Sequence, residues 1–362
     1  MTLHIFNPEH DTALASGLSN FTAPHAARQL RHDLSFLPAL WAQQGDTIMA
    51  DDVEQAQRLR KKTVHRLLKL QLGNDSLEGS CTFLPRKQHT IHQETSAIEP
   101  WGWNSALRAT LIKHGIDEQL MPTPLQMDII RQLSHRRTAA ELLPKLRLAG
   151  TVGEAYECCE AEQVEALINR YGEVVMKAPW SSSGRGLRFL SSGHKSLSMQ
   201  AGWLRNLVRQ QGAVMVEPFY NKVKDFGMEF YSDGQGHVDY LGLSLFHTAN
   251  GAYSGNILAT ETTKQAMLSH YIQKPLLLET QSKICEELGA VYANNYRGPF
   301  GVDMMVVAST DESFLLHPCV EINLRRTMGH VALALAPKDD DNKCVMRIEY
   351  ANNNYQLKIN RL

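Results

Sequence analysis

Short apolar runs and stretches of helical spacing alternate along this chain, and the two periods sort it into an α/β pattern. Leu3 to Phe6 predicts a first strand running into the polar loop Asn7-Pro8-Glu9-His10-Asp11, where Asp11 either caps a helix or reaches a ligand. Helices follow near Ala26 to Gln43 and over Asp51 to Leu72, with strands at Asp46 to Ala50 and Cys81 to Leu84. A helix opened by Pro100-Trp101-Gly102-Trp103-Asn104 and running to about His114 leads to Pro122-Thr123-Pro124, a linker because proline stops one helix and starts the next. Ser134 caps a helix running to Leu146. Strands are predicted at Glu173 to Lys177, onward from Leu187, at Ala213 to Phe219, onward from Lys224, and at Val238 to Phe246. Helices are predicted at Ser196 to Gln211 and Lys264 to Gly289, and residues 248–256 read as a loop. The last two strands cover 296–307 and 320–329, joined across the polar break Ser309 to Ser313, and a short helix begins at Gly329.

Those last two strands carry acid inside apolar sequence. An unpaired carboxylate within a sheet is costly, so a counter-ion, a metal or a shifted pKa is required. Glu321 and Asn323 are two apart and leave a strand on one face. A hairpin centred on Asp311 puts Asp303 opposite Cys319 and makes Glu321 its diagonal neighbour, roughly 7–8 Å away, a span that divalent ions bridge. Two acids and an amide oxygen form a hard donor set suited to Mg²⁺ carrying phosphates. Arg297, Arg325 and Arg326 lie nearby in sequence, and guanidinium forks bind phosphate oxygens in pairs. The alternative is mutual neutralisation of acids and arginines at a sheet edge.

Gly301-Val302-Asp303 followed by Glu321-Ile322-Asn323-Leu324-Arg325 resembles the metal-binding hairpin of the ATP-grasp superfamily, which includes D-alanine ligases, carbamoyl-phosphate synthetases and biotin carboxylases. The resemblance implies that Asp303, Glu321 and Asn323 ligate Mg²⁺, as one ion or two, with Mn²⁺ an acceptable substitute. It gives Arg297 and Arg325 to phosphate or acyl phosphate. Further features follow in the order the superfamily has them. Arg136 or Arg137, just inside a helix, matches a cation that reaches nucleotide phosphates, with the choice between them open. The β-rich run ending at Lys177, followed by Ser181, Ser182, Ser183, Gly184 and Gly186, resembles the strand lysine and glycine-rich lid, though with more serine. It is not a Walker A loop, since no Gly-Lys-Ser/Thr closes it. Glu217 and Phe219 match the hinge that reads adenine, and Asp225, with Glu229 second, matches the acid that holds ribose. The implied architecture is an α/β (α+β) ATP-grasp fold, two α+β subdomains gripping ATP behind a small α/β domain. The expected division is 1–123 for the N-terminal domain, 124–216 for the lid subdomain and 217–362 for the large subdomain.

Composition narrows the partners. A chain of 362 residues with 21% charged residues and a formal net charge of -1 has no global pull towards nucleic acid or anionic membrane, so small molecules are expected. The basic run Arg58 to Lys62 reads as the solvated face of an amphipathic helix. No signal peptide or membrane span is visible, and six cysteines without a Cys-x-x-Cys pair suggest a reducing cytoplasm. Asp225-Phe226-Gly227 lacks the other protein-kinase loops, and Asp339 to Asp341 lacks EF-hand spacing. The resemblance implies an ATP- and Mg²⁺-dependent ligase joining a carboxylate to an amine through an acyl phosphate, with amino acids or peptides among the candidate substrates and a homo-oligomer compatible with the sequence. Phosphoryl transfer to a hydroxyl, or nucleotide binding without turnover, are the alternatives.

Overall fold

The computed structural model describes residues 1–73, 77, 79–86, 95–181, 186–192, 197–249 and 252–362. Its first sheet is parallel: β1 (Thr2–Ile5), β2 (Thr47–Ala50), β3 (Thr82–Pro85) and β4 (Ala97–Pro100), in the order β3-β2-β1-β4. Parallel strands need crossovers, and α1 (His10–Ser16), α2 (His25–Leu34), α3 (Val53–Lys69) and α4 (Ser105–Lys113) lie along this part of the chain. The helix expected over 26–43 stops at Leu34; a 3-10 turn at Leu37–Leu40 carries the chain past Pro38, which cannot continue an α-helical hydrogen-bond ladder.

Thr123 caps α5 (Pro124–Leu133) reciprocally with Gln126, and α6 (Arg137–Leu142) follows. Both helices pack towards the core of the third sheet below, through Ile130, Ala139 and Leu142. The second sheet is antiparallel, with β5 (Tyr156–Cys158), β6 (Glu173–Lys177), β7 (Leu187–Ser191) and β8 (Val214–Pro218) in the order β5-β8-β6-β7. One of its faces is covered by α7 (Ala161–Tyr171) and α8 (Leu197–Gln211), which bury Val174, Met176, Val214 and Val216. Strand alternation sends Lys177, Met215 and Glu217 to the other face.

The third sheet, also antiparallel, is β9 (Lys222–Ser232), β10 (Val238–Ser244), β13 (Gly298–Ala308) and β14 (Phe314–Asn323), in the order β10-β9-β13-β14. Its core face holds Phe226, Met228, Phe230 and Phe300, with the rings of Phe230 and Phe300 stacked 5.1 Å apart. The long helix expected over 264–289 is two, α9 (Glu261–Leu268) and α10 (Lys274–Tyr292), broken ahead of Pro275.

A fourth sheet joins β11 (Phe246–Ala249), β12 (Ala252–Leu258), β15 (Cys344–Ala351) and β16 (Asn354–Arg361). The loop expected over 248–256 is thus largely strand, because β12 pairs with β15 nearly ninety residues onward, a partner that no local pattern reveals. α11 (Met328–Ala334) closes the junction: Val331 and Leu335 share one core with Phe6, Leu34, Met346 and Ile359. Among the described residues, no helix is long and apolar enough to cross a membrane.

Candidate active site

Asp303 and Glu321 are direct cross-strand partners, with Gly301 opposite Asn323. The expected diagonal placement is corrected by a bulge: pairing jumps from Asp303/Glu321 to Met305/His317, so Pro318 to Val320 stand opposite Met304 alone. Cys319 is buried in the core instead of facing Asp303. Direct register brings the two acids' Cβ atoms to about 4.5–5.5 Å rather than 7–8 Å.

On the other flank, β9 sets Gly227 opposite Asp303, Glu229 opposite Gly301 and Asp225 opposite Met305. Because Phe226 and Met228 go into the core, Asp225, Gly227 and Glu229 share the face of Asp303. Two glycines make room for Glu229: a Cβ at Gly301 would stand 2.6 Å from its Oε2, and one at Gly329 would overlap its Oε1. His330 Nδ1 lies 2.9 Å from Glu229 Oε2 at ion-pair distance, without the alignment of a hydrogen bond. Burial, then the charges of Glu321 and Glu229, push the Asp303 carboxyl up to about 8.

Crowded carboxylates of this kind call for a cation, and the donor chemistry fits Mg²⁺: two carboxylates in register and the Asn323 amide oxygen. Here those oxygens are taken by protein donors. Asn323 Nδ2 donates to Asp303 Oδ2 at 3.0 Å, Arg325 Nη2 donates to Asn323 Oδ1 at 2.8 Å, and Arg136 Nη2 lies 2.8 Å from Glu321 Oε1. Among the described residues, no three His, Cys, Asp or Glu side chains form an ion cage by themselves.

Lys177 ends β6 buried, donating to Glu217 on β8 at 2.5 Å. Gly186, at φ +77°, turns its carbonyl to the amide of Ala178 and closes the base of the serine-rich segment. Ser181 Oγ accepts from Arg136 Nη2 at 3.3 Å; Ser182, Ser183 and Gly184 lie outside the described residues. Of the two candidate arginines, Arg136 touches Ala178, Ser181 and Glu321, whereas Arg137 turns away into a bidentate pair with Glu157. Phe219 is half exposed and packs edge-on against Phe189. Asp225 shares the sheet face but pairs with Lys222 and Thr248, both at 2.6 Å.

Arg297 is a further correction. It is exposed beside the β9–β10 turn, close to Gly234 and in the field of Asp233. Six residues along an extended strand span roughly 20 Å, so nearness in sequence to Asp303 set it at the far end of the sheet.

Arg325 does meet the cluster, held from the N-terminal side. Its Nε and Nη2 each donate to Asp11 at 2.8 Å, and the Asp11 carboxyl is held low by that guanidinium against the opposing effect of burial. Neighbouring His10 is buried and lowered to about 4, chiefly by burial. A narrow cleft lined by His10, Asp11, Trp180, Ser181, Glu321 and Asn323 leads to the carboxylates. The loop after β1 was read as either ligand-reaching or helix-capping, and nothing in its sequence pointed to Arg325. His317 was missed outright: fully buried beneath Gly153 and Tyr220, it has no hydrogen-bond partner on either ring nitrogen.

No known family profile matches the sequence, and no curated protein matches it. Solved structures do. Biotin carboxylase from Campylobacter jejuni, solved as a β,γ-ATP complex, superposes with a TM-score of 0.50 at 13% identity over 96% of this chain and 75% of that one. N5-carboxyaminoimidazole synthetase from Staphylococcus aureus, complexed with ADP, gives 0.49 at 13% identity over 86% and 84%. D-cycloserine synthetase gives 0.44 at 13% identity over 76% and 93%.

Proposed function

From the ATP-grasp fold of this chain, we propose that it is an ATP-dependent ligase joining a carboxylate to an amine through an acyl phosphate. The observation that carries the reading is the direct register of Asp303 with Glu321, with Asn323 two residues on, placed where Arg136 ties Glu321 to the base of the serine-rich segment. Asp303, Glu321 and Asn323 would hold Mg²⁺, which when bound neutralises charge on the terminal phosphates of ATP.

The chain's own groups do the rest. Lys177, released from Glu217, supplies a point charge to the phosphates, and Arg136 swings between Glu321 and the same oxygens. Arg325, pinned by Asp11, offers a fixed fork to the group being transferred. Glu217 and Phe219 flank the nucleotide base, and Asp225 faces the ribose. The carboxylate and amine enter by the cleft at His10 and Asp11, which Trp180 and Ser181 border. A division into a small N-terminal domain, a lid and a large subdomain suits this division of labour.

The test is to incubate the protein with MgATP and paired carboxylates and amines. ADP release that depends on the carboxylate, with a hydroxamate formed in hydroxylamine, supports the reading. Release of AMP sinks it, and a stable phosphate ester in place of a hydroxamate replaces it with phosphoryl transfer to a hydroxyl.

A further inference from the structure

Trp180 borders a second cavity, of about 440 Å³, that shares no other lining residue with the cleft at His10 and Asp11. Its lining comes from two directions: Arg131, Gln132, His135 and Arg137 from α5, α6 and their junction, and Glu157, Cys159 and Gln210 to Gly212 from the ends of β5 and α8. That volume lies within the range of small-molecule sites.

Its polar groups do not cancel. Glu157 is the one carboxylate in the lining, and Arg137 saturates it through Nε and Nη2. Arg131 keeps a full positive charge without an acid at ion-pair distance among the described residues. Its Nε donates to Leu14 O at 2.8 Å, and its guanidinium lies 3.9 Å from the Trp180 ring centroid. Partial burial pulls its pKa down, with the charge of Asp128 opposing. The Nη groups have no partner among the described residues. Gln211 spends its Oε1 on the Trp180 amide and keeps its Nε2 as a donor, beside the amides of Gln132 and Gln210.

We propose that this cavity is a second, non-catalytic binding site for a small oxyanion, carboxylate or phosphate, taken by the Arg131 fork with the glutamine amides holding the remainder of the molecule. The site goes beyond the ligase reading and does not depend on it. Because its walls come from both the α5–α6 side and the second sheet, and Trp180 leads directly into Ser181, a bound anion fixes the root of the serine-rich segment.

Cys159 is exposed and lines the cavity, so it serves as a local reporter. Its alkylation by N-ethylmaleimide, followed by peptide mass spectrometry without nucleotide present, is measured against increasing inorganic phosphate or succinate at constant ionic strength. Saturable protection by phosphate assigns a phosphorylated ligand, and protection by succinate a carboxylate. Arg131→Gln should weaken the protection about tenfold or more, while Arg131→Lys retains part of it. Urea melts of both variants check that Trp180 packing survives. No protection in the native protein, or equal protection in a melt-competent Arg131→Gln variant, overturns the site. The assay reads no ATP consumption, so its failure is distinct from failure of the ligase reading.

Discussion

Asp11 and Arg325 are 314 residues apart in the chain, yet they share a two-fold ion pair, Nε to Oδ1 and Nη2 to Oδ2, both at 2.8 Å. The pair ties the loop after the first strand to the hairpin that carries the candidate metal ligands. Both side chains are largely shielded from water, so removing one partner strands the other. Asp11→Asn should lose roughly 3 kcal/mol of unfolding free energy in urea titrations and lower carboxylate-dependent ADP release. Arg325→Lys should not restore turnover, because an ammonium cannot reproduce the fork. A melt unchanged by Asp11→Asn would remove the pair from any structural role.

The position of Arg297 gives a contrast within one strand. Asp303→Asn should reduce ATP turnover at least about a hundredfold, whereas Arg297→Gln, at the exposed end of β13, should stay within about twofold. Steady-state ADP release decides it, and a large loss in Arg297→Gln would return that residue to the reacting groups.

Adjacent arginines should also separate. Arg136→Gln leaves Glu321 and Ser181 without their partner and should raise the KM for ATP about tenfold. Arg137→Gln breaks a pair with Glu157 away from the carboxylates and should leave that KM within about threefold.

Acid should destabilise the fold through buried imidazoles. His317 is lowered from 6.5 to about 4, chiefly by burial. The unfolded chain therefore takes up a proton below about pH 6.5 that the native state refuses until about pH 4, so stability falls as pH drops through that window. His317 alone accounts for about 2 kcal/mol between pH 7.5 and pH 5 by linkage. His10 and His135, both lowered to about 4, add to the same slope. His317→Gln should flatten the dependence of urea unfolding on pH by up to ~1.4 kcal/mol per pH unit. An unchanged slope would show that His317 reaches water in the native state.

The strands at 173–177, 214–218 and 298–308 were legible as apolar, β-rich runs, whereas the one read over 320–329 lies at 314–323 and shares only 320–323 with that reading. Asp303, Glu321 and Asn323 stood out as polar residues within apolar runs, and they do come together. What failed was register and distance. A bulge at Met304 has no sequence mark, so Glu321 was placed diagonally. Arg297 was judged by chain separation, and Arg136 could not be told from Arg137 without knowing which side of a short helix faces the sheet. β15 and β16 went unseen because their solvent side is polar and their partner β12 is remote.

The hairpin of β15 and β16 shares one apolar cluster with Phe6, Leu34 and Phe36, and the amide of Tyr355 donates to Asp33 at 2.8 Å. During synthesis, the opening hundred residues therefore leave the ribosome with part of their interior still untranslated. Until β15 and β16 are in place, Phe6, Leu34 and Phe36 leave apolar surface open to water, so a product cut ahead of β15 should aggregate through this patch and not through the cut end.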